Sequence, residues 1–427
     1  MNIYFKNIRA IDPQRKLDEK INLWIKNGNI EHCSSDEAKI DNTVKVVNGE
    51  RLIAAPGFFD MHVHLREPGE ESKETIESGT QAAMNGGFTG ILCMPNTTPA
   101  IDDITVAEYI KHKAQGRLVD VEIAGCISQK REGELLAPML ELNDAGVRMF
   151  TDIPRAVPTA ESMRRAFEYA STKDLLIAQH CEDVSLSGNS SMNESKLSFQ
   201  LGLKGNPTVS EQIILQRDII LSEYTGNRRY HAHHISTKGS VEIIRKAKSN
   251  NLRVTCAVTP HHLLLTEDKV KNYDTNFKMD PPLRSEIDRQ ALIEGLQDGT
   301  IDCIVSEHAP HILQDKDVPF EIAPNGIIGL ETTIGLVLTH LVNTKIIDYA
   351  QMIEKISINP RKILGIEPPQ IKTGEKANIS IFDPEEEWIV NQNHFKSKSA
   401  NTPFEGNRLK GKPKYTVNNG QIYESEL

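Results

Sequence analysis

Leu52-Ile53-Ala54-Ala55-Pro56-Gly57-Phe58-Phe59-Asp60-Met61-His62-Val63-His64 is an apolar run that ends in two histidines one residue apart. It reads as a short buried strand, and on a strand residues i and i+2 point to the same side. His62 and His64 are therefore expected to present both imidazoles together at the strand's C-terminal end. A rigid element offers two nitrogen ligands to one metal ion in this way. Arg66 and the Pro68-Gly69 turn follow directly and favour the metal reading over a pair of plain polar residues.

Outward from this run, short apolar segments alternate with longer amphipathic ones between residue 54 and about residue 365. Strands are expected at Gly57 to His62, Gly90 to Met94, Val121 to Ile127, Gly146 to Phe150 and Leu175 to Gln179. Tyr230 to Ile235, Arg253 to Val258 and Asp302 to Ser306 continue the series. Helical stretches such as Glu74 to Met84, Ser162 to Ser171 and Glu211 to Tyr224 lie between them. Strand–helix alternation implies βα units and a parallel sheet, and eight such units imply a closed α/β barrel of the (β/α)8 type.

The two ends read differently. Ile21 to Lys26 and Thr43 to Val47 near the start, and Ala377 to Phe382 and Tyr415 to Tyr423 near the finish, are alternating strands with Asn-Gly turns. Neither end alone is long enough to bury a core. The expectation is one small β-sandwich assembled from residues 1–53 and 366–427, with the barrel, 54–365, inserted between them. The polar stretch Ser185 to Lys196 is too long for a tight turn. It is expected to be a flexible loop near the site or a surface excursion.

Composition narrows the class. The chain carries 49 basic and 59 acidic residues, net −10, which argues against a nucleic-acid binder. No apolar stretch approaches the length needed to span a bilayer, and the N-terminus lacks the charged-then-apolar order of a signal peptide. Cys33, Cys93, Cys126, Cys181, Cys256 and Cys303 are scattered, with no Cys-x-x-Cys pair. Most lie in apolar runs, which suits reduced thiols in a cytoplasmic protein.

In such a barrel, polar groups that do chemistry sit where strands end. The first strand ends in His62 and His64, the fourth in Asp152, the fifth in His180, the sixth in His234 and the eighth in Glu307. Four imidazoles and two carboxylates are what two divalent ions of the zinc type require. Such ions ionise water near neutral pH and polarise a carbonyl, while a carboxylate moves protons to a leaving nitrogen. Hydrolysis of an unactivated amide, or its reverse, is the implied reaction. Arg66 can grip a substrate carboxylate through a bidentate fork.

These motifs, taken in order, resemble those of the type I dihydroorotases of the amidohydrolase superfamily. The resemblance rests on Asp60 to Gly69, Met94-Pro95-Asn96-Thr97, His180-Cys181-Glu182-Asp183 and His234-Ile235-Ser236-Thr237-Lys238. Thr259-Pro260-His261-His262, Pro281-Pro282-Leu283-Arg284, His308-Ala309-Pro310-His311, Gly329-Leu330-Glu331-Thr332 and Asn401 to Gly406 extend it over nearly the whole chain. It implies zinc ligands at His62, His64, Asp152, His180 and His234, and an acid/base at Glu307 that also touches the metal. It implies substrate contacts from Arg66, Asn96, Asp280 and His311, with backbone help around Asn325 and Gly326. The implied reaction is the reversible cyclisation of N-carbamoyl-L-aspartate to dihydroorotate in pyrimidine synthesis. The implied partners are a second copy of the chain or aspartate carbamoyltransferase. Related hydantoinases and allantoinases bridge their metals with a carboxylated lysine, but no lysine occurs here between Lys130 and Lys173.

The chain departs from the family pattern in three places, at four positions. Glu307 stands where Asp is usual, moving the carboxylate by roughly 1.5 Å on a fixed backbone. Asp280 replaces the usual Asn, losing two N–H donors and gaining a negative charge. Ile153-Pro154 follows Asp152 in place of Asp-Gly. Two alternatives therefore stay open: a low-activity, dihydroorotase-like structural subunit, or another cyclic amidase. His112, His340 and His394 read as surface or packing residues. Strand alternation puts His233 and His234 on opposite sides, and the family motif selects His234. His261 and His262 are expected to shape the rim without a catalytic role.

Overall fold

A computed structural model describes residues 2–427. Eight parallel strands form one sheet: β1 (Phe58–Val63), β2 (Phe88–Cys93), β3 (Asp120–Gly125), β4 (Met149–Phe150), β5 (Ile177–Gln179), β6 (Tyr230–Ala232), β7 (Val254–Val258) and β8 (Cys303–Ile304). They pair in sequence order from β1 to β8, as right-handed βα units dictate. The ring closes where the Val63–His308 bridge joins its two ends and the His64 N–H donates to the His308 carbonyl at 2.9 Å. Asp60 reinforces the seam. Its carboxylate accepts from the His62 N–H at 3.0 Å on β1 and from the Ser306 N–H at 2.9 Å beyond β8.

The strands are apolar because both of their faces are buried. Inside the barrel, Phe59, Met61, Leu92, Met94, Ala124, Met149, Ala178, Ala257, Cys303 and Val305 fill the centre. The outer layer packs the strands against helices such as Ala160–Ala170, whose Met163, Ala166, Phe167 and Ala170 recur at helical spacing and face inward. Each fully buried Phe or Leu contributes about 1.5–3 kcal/mol. Thr75, Thr159, Thr237 and Ser285 cap the helices that follow them, each worth about 1 kcal/mol.

The terminal segments form a second eight-stranded sheet, in which the long strand Asn2–Asp12 pairs with Leu17–Lys26, Lys45–Asn48 and Ile53–Pro56. Ile53–Pro56 in turn pairs with Ile379–Ile389, which carries Arg408–Asn418 and Gln421–Glu424 from the far end of the chain. Both ends share one core, with Phe5 against Tyr415 at 5.3 Å between ring centroids. This sheet runs through Pro56, so residues 54–56 lie in it and not in the barrel. The apolar run that reads as one strand changes sheets at Gly57. A Cβ there would lie 2.0 Å from Asn378 Oδ1 and 2.2 Å from Thr89 Oγ1, so only glycine fits the crossing.

Residues 185–196 differ from expectation too. They hold the end of a short helix, Val184–Ser187, and a strand, Met192–Asn193, paired with Gly205–Asn206. Ser195 caps the helix Lys196–Leu201 in a box with Ser198, so the polar residues that read as loop are partly cap residues. Arg284 ties the segment down, donating to Asn193 Oδ1 at 3.0 Å and to the Asn206 carbonyl at 2.7 Å. Among the described residues, no helix is long and apolar enough to cross a membrane. The six cysteines are free thiols, five of them buried.

Candidate active site and metal centre

The C-terminal ends of the strands surround a cavity of about 250 Å³ that gathers His64, Arg66, Asn96, His180, His234, Asp280, Glu307, His311, Asn325 and Gly326. His62 lies just beneath it. Its ring centroid is 5.3 Å from that of His64 and 4.9 Å from that of His234, which is 5.1 Å from His180. Imidazoles contributed by β1, β5 and β6 thus converge on one point, although 172 positions separate His62 from His234 in the chain.

Their nitrogens fit a divalent cation. His62 Nε2, His180 Nε2 and both nitrogens of His234 are buried without a hydrogen-bond partner. A buried polar atom left unpaired costs about 1–3 kcal/mol, and a cation of the zinc type satisfies such nitrogens directly. Burial, followed by neighbouring imidazoles, holds His62 and His234 well below the ordinary imidazole range. Burial and then Arg66 bring His64 down to about 3. All three are therefore neutral and keep the lone pair that ligation needs. His180 differs: burial opposes its charge, but Asp280, Glu182 and Glu307 outweigh burial and carry it up to about 9.

Two supporting contacts set the tautomers. His64 Nδ1 lies 2.7 Å from Asn96 Oδ1, so it carries the proton and donates, leaving Nε2 with the free lone pair. His62 Nδ1 lies 3.2 Å from His233 Nδ1, and with His62 as the donor its Nε2 lone pair faces the cluster. His233 and His234 both sit against His62, at 4.6 and 4.9 Å between centroids. Strand alternation would put them on opposite sides. It does not hold because β6 ends at Ala232 and the pleat stops before either residue.

Asp152 follows β4, but its carboxylate turns toward the neighbouring loop. Oδ1 accepts the N–H groups of Ile127 at 2.9 Å and Ser128 at 3.0 Å, while Oδ2 accepts the Ser128 hydroxyl. One lone pair of Oδ2 remains uncommitted. Ile153 and Pro154, not Asp152, line the cavity.

Glu307 occupies a left-handed backbone position, φ 50°, in the turn after β8. Its Oε1 lies 3.9 Å from His234 Nε2 and its Oε2 lies 3.4 Å from His261 Nε2. Burial pushes its carboxyl well above the usual range, with His180 opposing the rise and Asp280 adding to it. His261, expected at the rim, instead touches the acid/base candidate. Its signal was hidden because Pro260–Leu264 is a helical turn that swings the ring inward. His262 is taken up structurally, its Nε2 2.9 Å from the Pro281 carbonyl.

On the opposite wall, the Arg66 Nε donates to the Pro310 carbonyl at 3.2 Å, and Nη1 lies 3.5 Å from Glu70 Oε2. His311 Nε2 donates to the Asn325 carbonyl at 2.9 Å, which leaves Nδ1 without a partner. The Gly326 N–H is already committed to the Lys278 carbonyl at 2.9 Å. His112, His340 and His394 are exposed and do not line this cavity.

A family model described as dihydro-orotase-like matches residues 50–240. A dihydroorotase of Geotalea daltonii is 45% identical over 423 residues, covering 99% of both chains. One of Syntrophus aciditrophicus is 44% identical over 427 residues, covering 100% of both. The chain belongs to the dihydroorotase family. Among solved structures, an L-hydantoinase (dihydropyrimidinase) from Arthrobacter aurescens superposes with a TM-score of 0.87 at 24% identity, over 100% of this chain and 96% of that one. A D-hydantoinase (dihydropyrimidinase) from Thermus sp. superposes with a TM-score of 0.85 at 21% identity, over 99% and 95%. At these identities the likeness is one of fold. Membership of the dihydroorotase family makes the chain a metal-dependent hydrolase of cyclic amides, and two groups at the strand ends, His180 with Glu182 and Asp280, and His261 with His262 and Glu307, are close enough together to hold a metal ion.

Proposed function

We propose that this chain is a zinc-dependent dihydroorotase that interconverts N-carbamoyl-L-aspartate and (S)-dihydroorotate in pyrimidine synthesis. The observation that carries the reading is the meeting, at one cavity, of four imidazoles, His62, His180 and His234 among them with unpartnered nitrogens, with a buried Arg66 and a buried Glu307. His62, His64, His180 and His234 would hold two zinc ions, with Asp152 contributing through the free lone pair of Oδ2. When bound, such ions polarise a carbonyl and lower the pKa of water.

The chain's own residues supply the rest. Arg66, Asn96 and His311 hold the substrate carboxylate against the wall formed by Pro310 and Asn325, which orients the ring amide toward the histidines. His64 is kept in the ligating tautomer by Asn96. With a divalent ion beside it to offset burial, the Glu307 carboxylate would take a proton from water on ring opening and deliver it to the leaving ring nitrogen; cyclisation reverses the transfer. Asp280 faces the substrate's polar edge, and Asn325 and Gly326 close the wall by backbone. Five buried free thiols suit a reducing compartment, and we place the reaction in the cytoplasm.

The test is turnover by purified, zinc-loaded protein of dihydroorotate, N-carbamoyl-L-aspartate, hydantoin and allantoin. The expected result is ring opening and closure with dihydroorotate as the preferred cyclic substrate. Preference for hydantoin or allantoin, or no turnover of any of the four, would overturn the reading.

A further inference from the structure

His180 follows β5, and its Nε2, on a residue only 1% exposed, has no hydrogen-bond partner. Two carboxylate oxygens face that atom: Glu182 Oε2 at 3.7 Å and Asp280 Oδ2 at 3.7 Å. Both are too far for a hydrogen bond. The three atoms nevertheless lie within 4.8 Å of one another. Bonds of about 2.0–2.2 Å to a tetrahedral divalent ion put neighbouring ligand atoms roughly 3.4 Å apart. The His180–Glu182 and His180–Asp280 separations are therefore close to the edges of a cation's coordination polyhedron.

The surroundings support this arrangement. Glu182 Oε1 accepts from Asn206 Nδ2 at 3.0 Å, which fixes the carboxylate and aims Oε2 at His180. The buried guanidinium nearby, Arg284, directs its donors to Asn193, Asn206 and Ser236 and to neither carboxylate. Two partly enclosed carboxylates thus share one imidazole with no Lys or Arg bonded to either, and a divalent ion would take the place of the proton on His180 Nε2.

We propose that Glu182 and Asp280 join His180 as protein ligands of the second divalent ion, the first resting on His62 and His64. This rests on the reading of the cavity as a two-cation centre and adds two ligands to it. It also gives Asp280 a purpose. A carboxylate is an anionic oxygen ligand, whereas an amide at that position would offer only a neutral carbonyl.

The test is equilibrium binding of Zn2+ to metal-free full-length protein, with a competing chelator, followed by Co2+ absorption as a report on coordination. Wild type, Glu182→Gln, Asp280→Asn and the double variant are compared, with thermal unfolding as the folding control. Two ions are expected in wild type. Each substitution should weaken the second by at least about 10–100-fold, alter the Co2+ spectrum and leave the first ion in place. Diffraction at the zinc absorption edge on wild type covers the case of a variant that does not fold: a peak touching Glu182 and Asp280 is expected, and its absence there overturns the proposal. Binding indifferent to both substitutions also overturns it. Such indifference beside normal dihydroorotate turnover removes only these two ligands, whereas absence of any cation binding removes the two-cation reading as well.

Discussion

Oε2 of Glu307 lies 3.4 Å from Nε2 of His261, while its Oε1 lies 3.9 Å from Nε2 of His234. The longer side chain is thus braced by a ring on each side, and the methylene that sets it apart from Asp is accommodated by His261. Glu307→Gln, which cannot accept or release a proton, should lower kcat by about 10²–10⁴-fold with little change in KM. Glu307→Asp should withdraw the carboxylate from His261 and cost on the order of a hundredfold. Steady-state kinetics on dihydroorotate decide both. An Asp variant faster than wild type would contradict the bracing role.

His62 and His64 are each oriented through Nδ1 by a neighbouring side chain, His233 and Asn96 respectively. Replacing His233 by Phe, or Asn96 by Ala, removes the acceptor for an imidazole N–H and should weaken zinc binding by about 10–100-fold. His233→Asn keeps an acceptor near the position of the lost Nδ1 and should retain most of the affinity. Competition with a chelator reads the difference. Equal loss in the Phe and Asn variants would make His233 a packing residue only.

Arg66 is buried yet leaves part of its guanidinium facing the cavity. If it grips the substrate carboxylate, Arg66→Met should lower kcat/KM by about 10–150-fold, corresponding to the roughly 1.5–3 kcal/mol of a charged hydrogen bond. Lys, a point charge without the planar fork, should rescue only part of this. Full activity in the Met variant would assign the carboxylate to other residues.

Away from the site, Glu331 is buried and accepts from Asn85 Nδ2 at 2.7 Å, the Lys396 N–H at 2.7 Å and the Ser397 N–H at 3.3 Å. Burial outweighs these bonds and lifts its carboxyl to about 7. The folded state therefore holds a proton that the unfolded chain releases near pH 4.5. Stability from this group is present below pH 4.5 and lost as pH rises through about 7, by roughly 3 kcal/mol at most. Urea unfolding across that window should show wild type losing stability relative to Glu331→Gln. Parallel profiles would contradict the assignment.

Much of this architecture was legible because parallel barrel strands are buried on both faces and stand out as apolar runs. The polar residue ending each run, from His62 to Glu307, is likewise visible, since little else in those runs is polar. Periodicity gave out where strands end: β6 stops at Ala232, so alternation could not place His233. Leu52 to Phe59 is continuously apolar across Gly57 because both sheets bury it, and apolarity alone cannot mark a change of sheet. Ser185 to Lys196 looked like loop because cap residues and loop residues are chemically the same. The meeting of Glu182 and Asp280 around His180 joins positions nearly a hundred residues apart, a juxtaposition that only the fold creates.

The most direct measurement is diffraction from crystals of the zinc-loaded protein at energies on either side of the zinc absorption edge. Anomalous density within bonding distance of the His62 and His64 Nε2 atoms, with a second peak beside His180, is the predicted result. Zinc bound elsewhere on the molecule, with the four strand-end histidines left free of it, would contradict the account.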